Sequence, residues 1–325
     1  MGNTVKWGIL GTANIARWCT IPGMKQAENC ELYAIAGRSL EKAQKFAEEF
    51  GIKKAYGSYD ELLQDEEVEA VYVPLPNDIH LEWVTKALRA GKHVLCEKPL
   101  ALNAEEAKQM YRTAKECGVH LMEAYAYLHS PYVENLKQDL QSGIIGEVDY
   151  VETAFVTQGY EEDFRLHKEF GGGAMYDLGC YCTTMILSLI DSKPTFVKAS
   201  AEFSELGVDL MTAGLIRFEN GVRASFNVGM ILGELSNSRF DRLYIHGSKG
   251  AIRSEVEYNQ EGEARYRIFT AEGVTERTAR VPQNYALEIE QLSRCILYGE
   301  APRVTPEFSI RNAELIDWVL REIRY

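Results

Sequence analysis

Short apolar runs alternate with amphipathic stretches over about the first 120 residues, and no other feature of the chain leaves it fewer ways to fold. Strands are expected at Val5–Leu10, Leu32–Gly37, Ala70–Leu75, His93–Glu97 and His120–Glu123, with helices at Leu40–Phe50, Leu81–Ala90 and Ala104–Cys117. Gly51, Gly91 and Gly118 stand where helix C-termini prefer glycine. Strand–helix–strand repetition builds a parallel sheet, because parallel neighbours can be joined only by a crossover. The expectation for residues 1–122 is a doubly wound α/β domain.

The pattern changes at about residue 145 to period-two alternation with hairpin turns, starting at Val148–Thr157. Asn220-Gly221, between Leu215–Phe218 and Val222–Val228, predicts a tight primed turn. Leu243–His246 and Ala251–Val256 flank Gly247-Ser248-Lys249-Gly250 in similar style, and helices are expected at Ala286–Leu297 and Ser309–Ile323. Residues 123–325 therefore read as an α+β domain with a large, mainly antiparallel sheet. A length of 325 residues suits two domains.

The first strand runs into Gly11-Thr12-Ala13-Asn14-Ile15-Ala16, close to the G-x-G-x-x-G/A turn of a Rossmann dinucleotide site. Gly11 supplies the turn, Ala16 the close helix–strand packing, and the helix N-terminus offers N–H groups to a phosphate. Ala13 departs from the pattern with a methyl group. The second strand ends Gly37-Arg38-Ser39, where an NAD site usually carries a carboxylate for the ribose 2′-hydroxyl. Arg38 and Ser39, with Lys42 one turn on, suit a 2′-phosphate, which points to NADP(H) with NAD also usable. Pro74 and Pro76 stop the strand and stiffen the turn that follows, which puts Asn77 near the cofactor; His80 either joins it or caps and packs its helix.

His93–Glu97 is followed by Lys98 and Pro99. Ligands of an open parallel sheet lie outside the carboxyl ends of its strands, so Glu97 and Lys98 emerge beside a bound dinucleotide. The second informative run is Gly171-Gly172-Gly173-Ala174-Met175-Tyr176-Asp177-Leu178-Gly179-Cys180-Tyr181. Asp177 and Tyr181, four apart on a helix, share a face as a carboxylate–phenol pair suited to handling a proton. An ammonium favours phenolate, and Lys98 is the available one if this face meets the first domain.

A net charge of −13 argues against nucleic acid or an anionic membrane as the main partner. Seven scattered cysteines without a C-x-x-C pair fit reduced thiols in a cytoplasmic protein. The six histidines form no metal-binding spacing, so no metal is expected. No signal-peptide or membrane-span pattern occurs, and Lys6 breaks the myristoylation pattern begun by Met1-Gly2.

The chain resembles the Gfo/Idh/MocA oxidoreductases over essentially its whole length. The motifs carrying the likeness are the Gly11 loop, Pro76-Asn77, Gly91–Pro99, Gly146-Glu147-Val148, Gly171–Tyr181 and Gly247–Gly250. It is most similar to the branch of dimeric dihydrodiol dehydrogenases and NADP-dependent D-xylose 1-dehydrogenases, with Tyr181 where inositol dehydrogenases carry histidine. The resemblance implies catalytic roles for Lys98, Asp177 and Tyr181, NADP preference through Arg38, and homodimers or homotetramers built through the C-terminal sheet. Arg165 matches a recurring segment that reaches substrate or cofactor, with an exposed structural arginine as the other reading. That branch has Arg-aromatic-His-Pro where this chain has Tyr127-Leu128-His129-Ser130-Pro131; Tyr127 is taken as substrate-facing, and Leu128-His129 is similar to sugar 3-ketoreductases. The function expected is hydride transfer between NADP(H) and a hydroxyl or carbonyl carbon of a sugar, polyol or trans-diol. Two rivals are a non-catalytic NAD(P)-binding sensor and a glycosidase-like enzyme with tightly bound nicotinamide.

Overall fold

The computed structural model describes residues 4–160, 163–232, 239–255, 258 and 261–325. Met1, Gly2 and Val256, on which parts of the sequence reading fall, lie outside the described residues. Contacts divide the chain into two units, Met1–His129 with Pro282–Ile310, and Ser130–Val281 with Arg311–Tyr325.

The first unit holds a six-stranded parallel sheet of β1 (Val5–Leu10), β2 (Cys30–Ala36), β3 (Lys54–Tyr56), β4 (Ala70–Val73), β5 (His93–Glu97) and β6 (Leu121–Ala124) in the order β3-β2-β1-β4-β5-β6. It is the doubly wound α/β sheet expected of the first half. β4 and β6 are buried at every residue and β5 at all but its first, as strands covered on both faces must be. The three-residue β3 was not anticipated, because Lys54-Ala55-Tyr56 is too short to display a period. Side-chain caps fix the helix starts: Asn103 Oδ1 accepts from Glu106 N at 3.0 Å, while the Glu106 carboxylate accepts from Leu102 N at 3.1 Å. The helix Asn284–Tyr298 also belongs to this unit. Trp7 Nε1 donates to Ser293 Oγ at 3.1 Å, and Asn29 Nδ2 to Glu290 O at 3.0 Å.

The second unit is built on an eight-stranded sheet: β7 (Val148–Tyr160), β8 (Pro194–Phe203), β9 (Asp209–Phe218), β10 (Arg223–Leu232), β11 (Arg239–Gly247), β12 (Gly250–Ser254), β13 (Gly262–Thr270) and β14 (Gly273–Val281). Their order is β14-β13-β12-β11-β7-β10-β9-β8, antiparallel throughout except for β7 beside β10. The helix Cys180–Leu189 packs on β7 and β10, and the apolar alternation of β9 turns its buried residues to that side. The hairpin at Asn220-Gly221 departs from expectation. Gly221 alone is left-handed, Gly221 N donates to Phe218 O at 3.0 Å, and Phe218 N donates to Val222 O at 2.9 Å. This is a three-residue loop with a bulge at Gly221; Asn220 instead uses its side chain to accept from Val222 N.

Candidate active site

In the first unit β1 lies between β2 and β4, where the strand order reverses and doubly wound sheets bind their ligands. A cleft of about 450 Å³ opens there, lined by Gly11, Thr12 and Ala13 after β1, Gly37, Arg38, Ser39 and Lys42 after β2, Pro74, Leu75 and Pro76 after β4, and Tyr59. Gly11 has φ +126°, and a Cβ on it would meet Leu75 Cδ2 at 3.2 Å, so the floor has room for hydrogen and little more. Ala13 avoids the left-handed region, and its methyl is tolerated without backbone strain. Asn14 and Ile15 form the first helical residues beyond the loop. No carboxylate is among the lining residues, and Arg38 and Lys42 make the rim cationic. Such a cleft fits a dinucleotide carrying an added phosphate. Ser39 Oγ accepts from Lys42 N at 3.4 Å as a helix cap. Tyr59 was not foreseen; burial pushes its phenol above the ordinary value against the pull of the Arg38 charge.

At the end of β5, Glu97 is anchored by a hydrogen-bond chain: Thr20 Oγ1 donates to Tyr72 Oη at 2.9 Å, and Tyr72 Oη to Glu97 Oε1 at 2.5 Å. The amide of Lys98 donates to Glu97 Oε2 at 3.2 Å. Lys98 is partly exposed, follows directly on a buried strand, and precedes a cis peptide bond to Pro99. His80 is buried with Nδ1 3.0 Å from Pro99 O and Nε2 2.8 Å from Leu75 O, tying the turn after Lys98 to the cleft wall. Burial holds its ring below the ordinary imidazole value. Asn77, also buried, opens the short helical turn after Pro76. Two further buried carboxyls occur in this unit. Burial pushes Glu288 well above the ordinary range, assisted by the Glu97 charge, and raises Glu123 to about 7. Tyr127 is buried here beside Tyr125.

In the second unit Asp177 and Tyr181 lie four apart in one helical stretch and so on one face. Within this unit Asp177 Oδ1 is 3.2 Å from Arg165 Nε. Asp163 caps that arrangement, accepting from Arg165 N at 2.7 Å and from Nη1 at 2.8 Å. The Tyr181 ring, buried to 7 % exposure, meets Phe155 and Tyr258 with centroids 5.4 Å away in each case. Phe155 and Tyr258 stack at 5.1 Å, and Tyr258 Oη lies 3.0 Å from Thr153 Oγ1. Arg239 covers the other part of Phe155 at 4.3 Å, fixed by Asp241 at 2.8 Å. Phe155, Tyr258 and Arg239 were missed because nothing local marks them; they are ordinary alternating or loop residues until the sheet assembles.

All seven cysteines are unbridged. Among the described residues, no cluster of three or more His, Cys, Asp or Glu could hold a metal ion, and no helix is long and apolar enough to cross a membrane.

The oxidoreductase family with an NAD-binding Rossmann fold, GFO_IDH_MocA, matches residues 5–125, and its C-terminal domain matches residues 133–253. The chain is 31 % identical to D-xylose 1-dehydrogenase (NADP(+)) 2 of Haloferax volcanii, covering 96 % of this chain and 95 % of that one. It is 32 % identical to trans-1,2-dihydrobenzene-1,2-diol dehydrogenase of Xenopus laevis, covering 98 % and 96 %. A crystal structure of a 3-ketoreductase from Actinomadura kijaniata, in complex with NADP and TDP-benzene, superposes with a TM-score of 0.90 at 30 % identity, covering 99 % and 98 %. With both domains matched and relatives aligned over nearly all of their length, the chain belongs to the Gfo/Idh/MocA family of oxidoreductases.

Proposed function

We propose that this protein is an NADP(H)-dependent oxidoreductase acting on a hydroxyl or carbonyl carbon of a sugar, polyol or related diol. The observation that carries the reading is a cationic, carboxylate-free dinucleotide cleft in the same unit as an ammonium at a strand's carboxyl end, Lys98. The named activities of the relatives, a xylose dehydrogenase, a diol dehydrogenase and a 3-ketoreductase, support the substrate class.

The nucleotide supplies the hydride when bound; the chain supplies placement and proton handling. Gly11, Thr12, Ala13 and the helix that begins at Asn14 and Ile15 receive the pyrophosphate, Arg38 and Ser39 the 2′-phosphate, and Pro76 and Asn77 the nicotinamide side. Glu97 orients that side from a carboxylate already fixed by Tyr72, and His80 acts by keeping the two loops together. Tyr181 exchanges the proton with the substrate oxygen, and Lys98 stabilises or carries it. Asp177 and Arg165 orient the substrate hydroxyls, and Tyr127 is assigned to the substrate side.

We assign the first unit to the cofactor and the second to substrate and self-association. One face of the eight-stranded sheet carries a row, in register, of Lys198, Leu215, Ser225, Glu152, Tyr244, Arg253, Arg267 and Glu276. Charges of both signs on one sheet face suit a homodimer or homotetramer, which light scattering would reveal. Reduced thiols fit a cytoplasmic setting.

The test is absorbance at 340 nm with NADP⁺ or NAD⁺ against aldoses, inositols and 1,2-diols, and with NADPH against keto-sugars. Turnover on one class with NADP(H) preferred is the expected result. Silence across the panel despite tight NADPH binding would overturn it.

A further inference from the structure

Asp209 opens β9 and is wholly buried. Its Oδ2 accepts from the backbone N–H of Met175 at 2.9 Å and from the Thr212 hydroxyl at 2.5 Å. Met175 starts the wide helical turn that carries Asp177 and leads into Tyr181. The glycine run before it is pinned on several sides. A Cβ on Gly173, whose φ is +98°, would overlap Asp209 Oδ1, and one on Gly172 would overlap the Arg165 carbonyl. Gly173 N donates to Arg165 O at 2.8 Å, Tyr325 Oη donates to Gly172 O at 2.7 Å, and Asp177 N donates to Gly173 O at 3.0 Å. One short stretch thus joins Asp209 on β9 to the backbone of Arg165 and, two residues after Met175, to Asp177.

We propose that Asp209 is a positioning residue for Asp177 and Tyr181, its carboxylate fixing an amide in the first turn of their helix and hence the place where Asp177 meets Arg165. The inference rests on the catalytic reading above. A purely structural buried polar group would be satisfied by any acceptor; an anion at this amide adds a charge-assisted bond that depends on ionisation.

That dependence gives the proposal its signature. Burial raises the Asp209 carboxyl to about 6, against the hydrogen bonds from Thr212 and Met175. The titratable and charged groups around it are Tyr325, whose phenol is pushed up by burial and by the Asp209 charge, Glu169 and Lys168 beside that ring, and the Asp177–Arg165 pair beyond the glycine turn. As pH falls through about 6 the carboxylate is protonated and its hold on Met175 N weakens, so kcat falls. Stability moves the other way. The folded value lies above the ordinary 3.8, so the folded state binds the proton more tightly and is stabilised, relative to neutral pH, as pH falls through that interval.

The experiment compares Asp209→Asn and Asp209→Ala with the wild-type protein in kcat–pH profiles from about pH 5 to 8, alongside NADPH binding by fluorescence. Asn keeps the acceptor without the charge; its profile should lose the inflection near 6 with kcat within about tenfold of wild type. Ala should lower kcat by tenfold or more, on the order expected for a charged hydrogen bond, with NADPH affinity unchanged. Should the Ala variant not fold, Thr212→Val serves instead, because losing that donor moves the inflection to higher pH. An inflection that persists in Asp209→Asn at full kcat would overturn the inference while wild-type turnover leaves the functional reading standing. Absence of wild-type turnover would overturn that reading and this inference with it.

Discussion

The two units hold their polar groups by different means. Lys98 takes its position from the backbone, emerging directly from a strand hydrogen-bonded on both sides, with Glu97 braced by Tyr72 from the adjacent strand β4. Asp177 and Tyr181 take theirs from side chains far away in sequence: Asp209 at the head of the helix, Tyr325 on the glycine turn 153 residues away, and Tyr258 against the Tyr181 ring. A parallel sheet fixes strand ends whatever their side chains, so its site residues can be exchanged without disturbing the scaffold. A site assembled from tertiary contacts is tuned by every residue that touches it.

The largest effects should come from the proton-handling groups. Lys98→Met is expected to lower kcat by ~100-fold or more while NADPH binding and thermal stability stay near wild type, because the strand that carries it is unchanged. Tyr181→Phe should cost a similar factor at constant NADPH affinity, with the ring stack on Phe155 and Tyr258 kept intact. The contrast lies in the neighbours. Tyr258→Leu should lower kcat through Tyr181, whereas Tyr72→Phe, which removes the brace behind Glu97, should cost less. Steady-state kinetics with parallel melting curves measure all four, and a Tyr258→Leu variant at full kcat would erase the distinction.

This difference also decides what could be read from sequence. β1, β5 and the helices Leu40–Phe50 and Ala104–Cys117 appear at their expected bounds, because strand alternation with capped amphipathic helices is a local signal. β3 escaped for want of length, and the return of Asn284–Tyr298 to the first unit left no local mark. In the second unit, β8, β13 and β14 carried no turn motif as clear as Asn220-Gly221, and even that motif suggested the wrong loop. Asp177 and Tyr181 stood out through glycines and spacing. Arg165 as the partner of Asp177, and Asp209 behind both, did not, since pairing across 12 and 34 residues depends on tertiary packing.

A smaller effect separates cofactor choice from chemistry. Arg38 sits exposed on the cleft rim, so Arg38→Ala should weaken NADPH binding by about 10- to 100-fold, the worth of a charged hydrogen bond, and leave NADH binding nearly unchanged. The sugar KM should not move. Fluorescence titration with both nucleotides decides the matter, and equal weakening of the two would show that Arg38 does not read the 2′-phosphate.

The mildest test touches no proposed ligand and asks whether a buried carboxyl of the first unit acts on stability alone. Glu123 is 2 % exposed; Oε1 accepts from Leu100 N at 2.9 Å, and burial lifts the group to about 7 from the ordinary 4.5. Its folded value lies above its unfolded one, so its favourable contribution is complete below the unfolded value and is lost as pH rises through 7. The loss amounts to roughly 3 kcal/mol, or a few degrees in a chain of this size. Glu123→Gln keeps an acceptor for Leu100 N and stays neutral at every pH. Its melting temperature should therefore fall less than that of wild type between pH 5 and pH 8, with kcat the same at each pH. Asp209→Asn should flatten stability in the same direction and change the kcat profile as well. If Glu123→Gln altered that profile too, the first unit would be coupling its core to catalysis, and the contrast between a backbone-placed and a side-chain-placed site would fail.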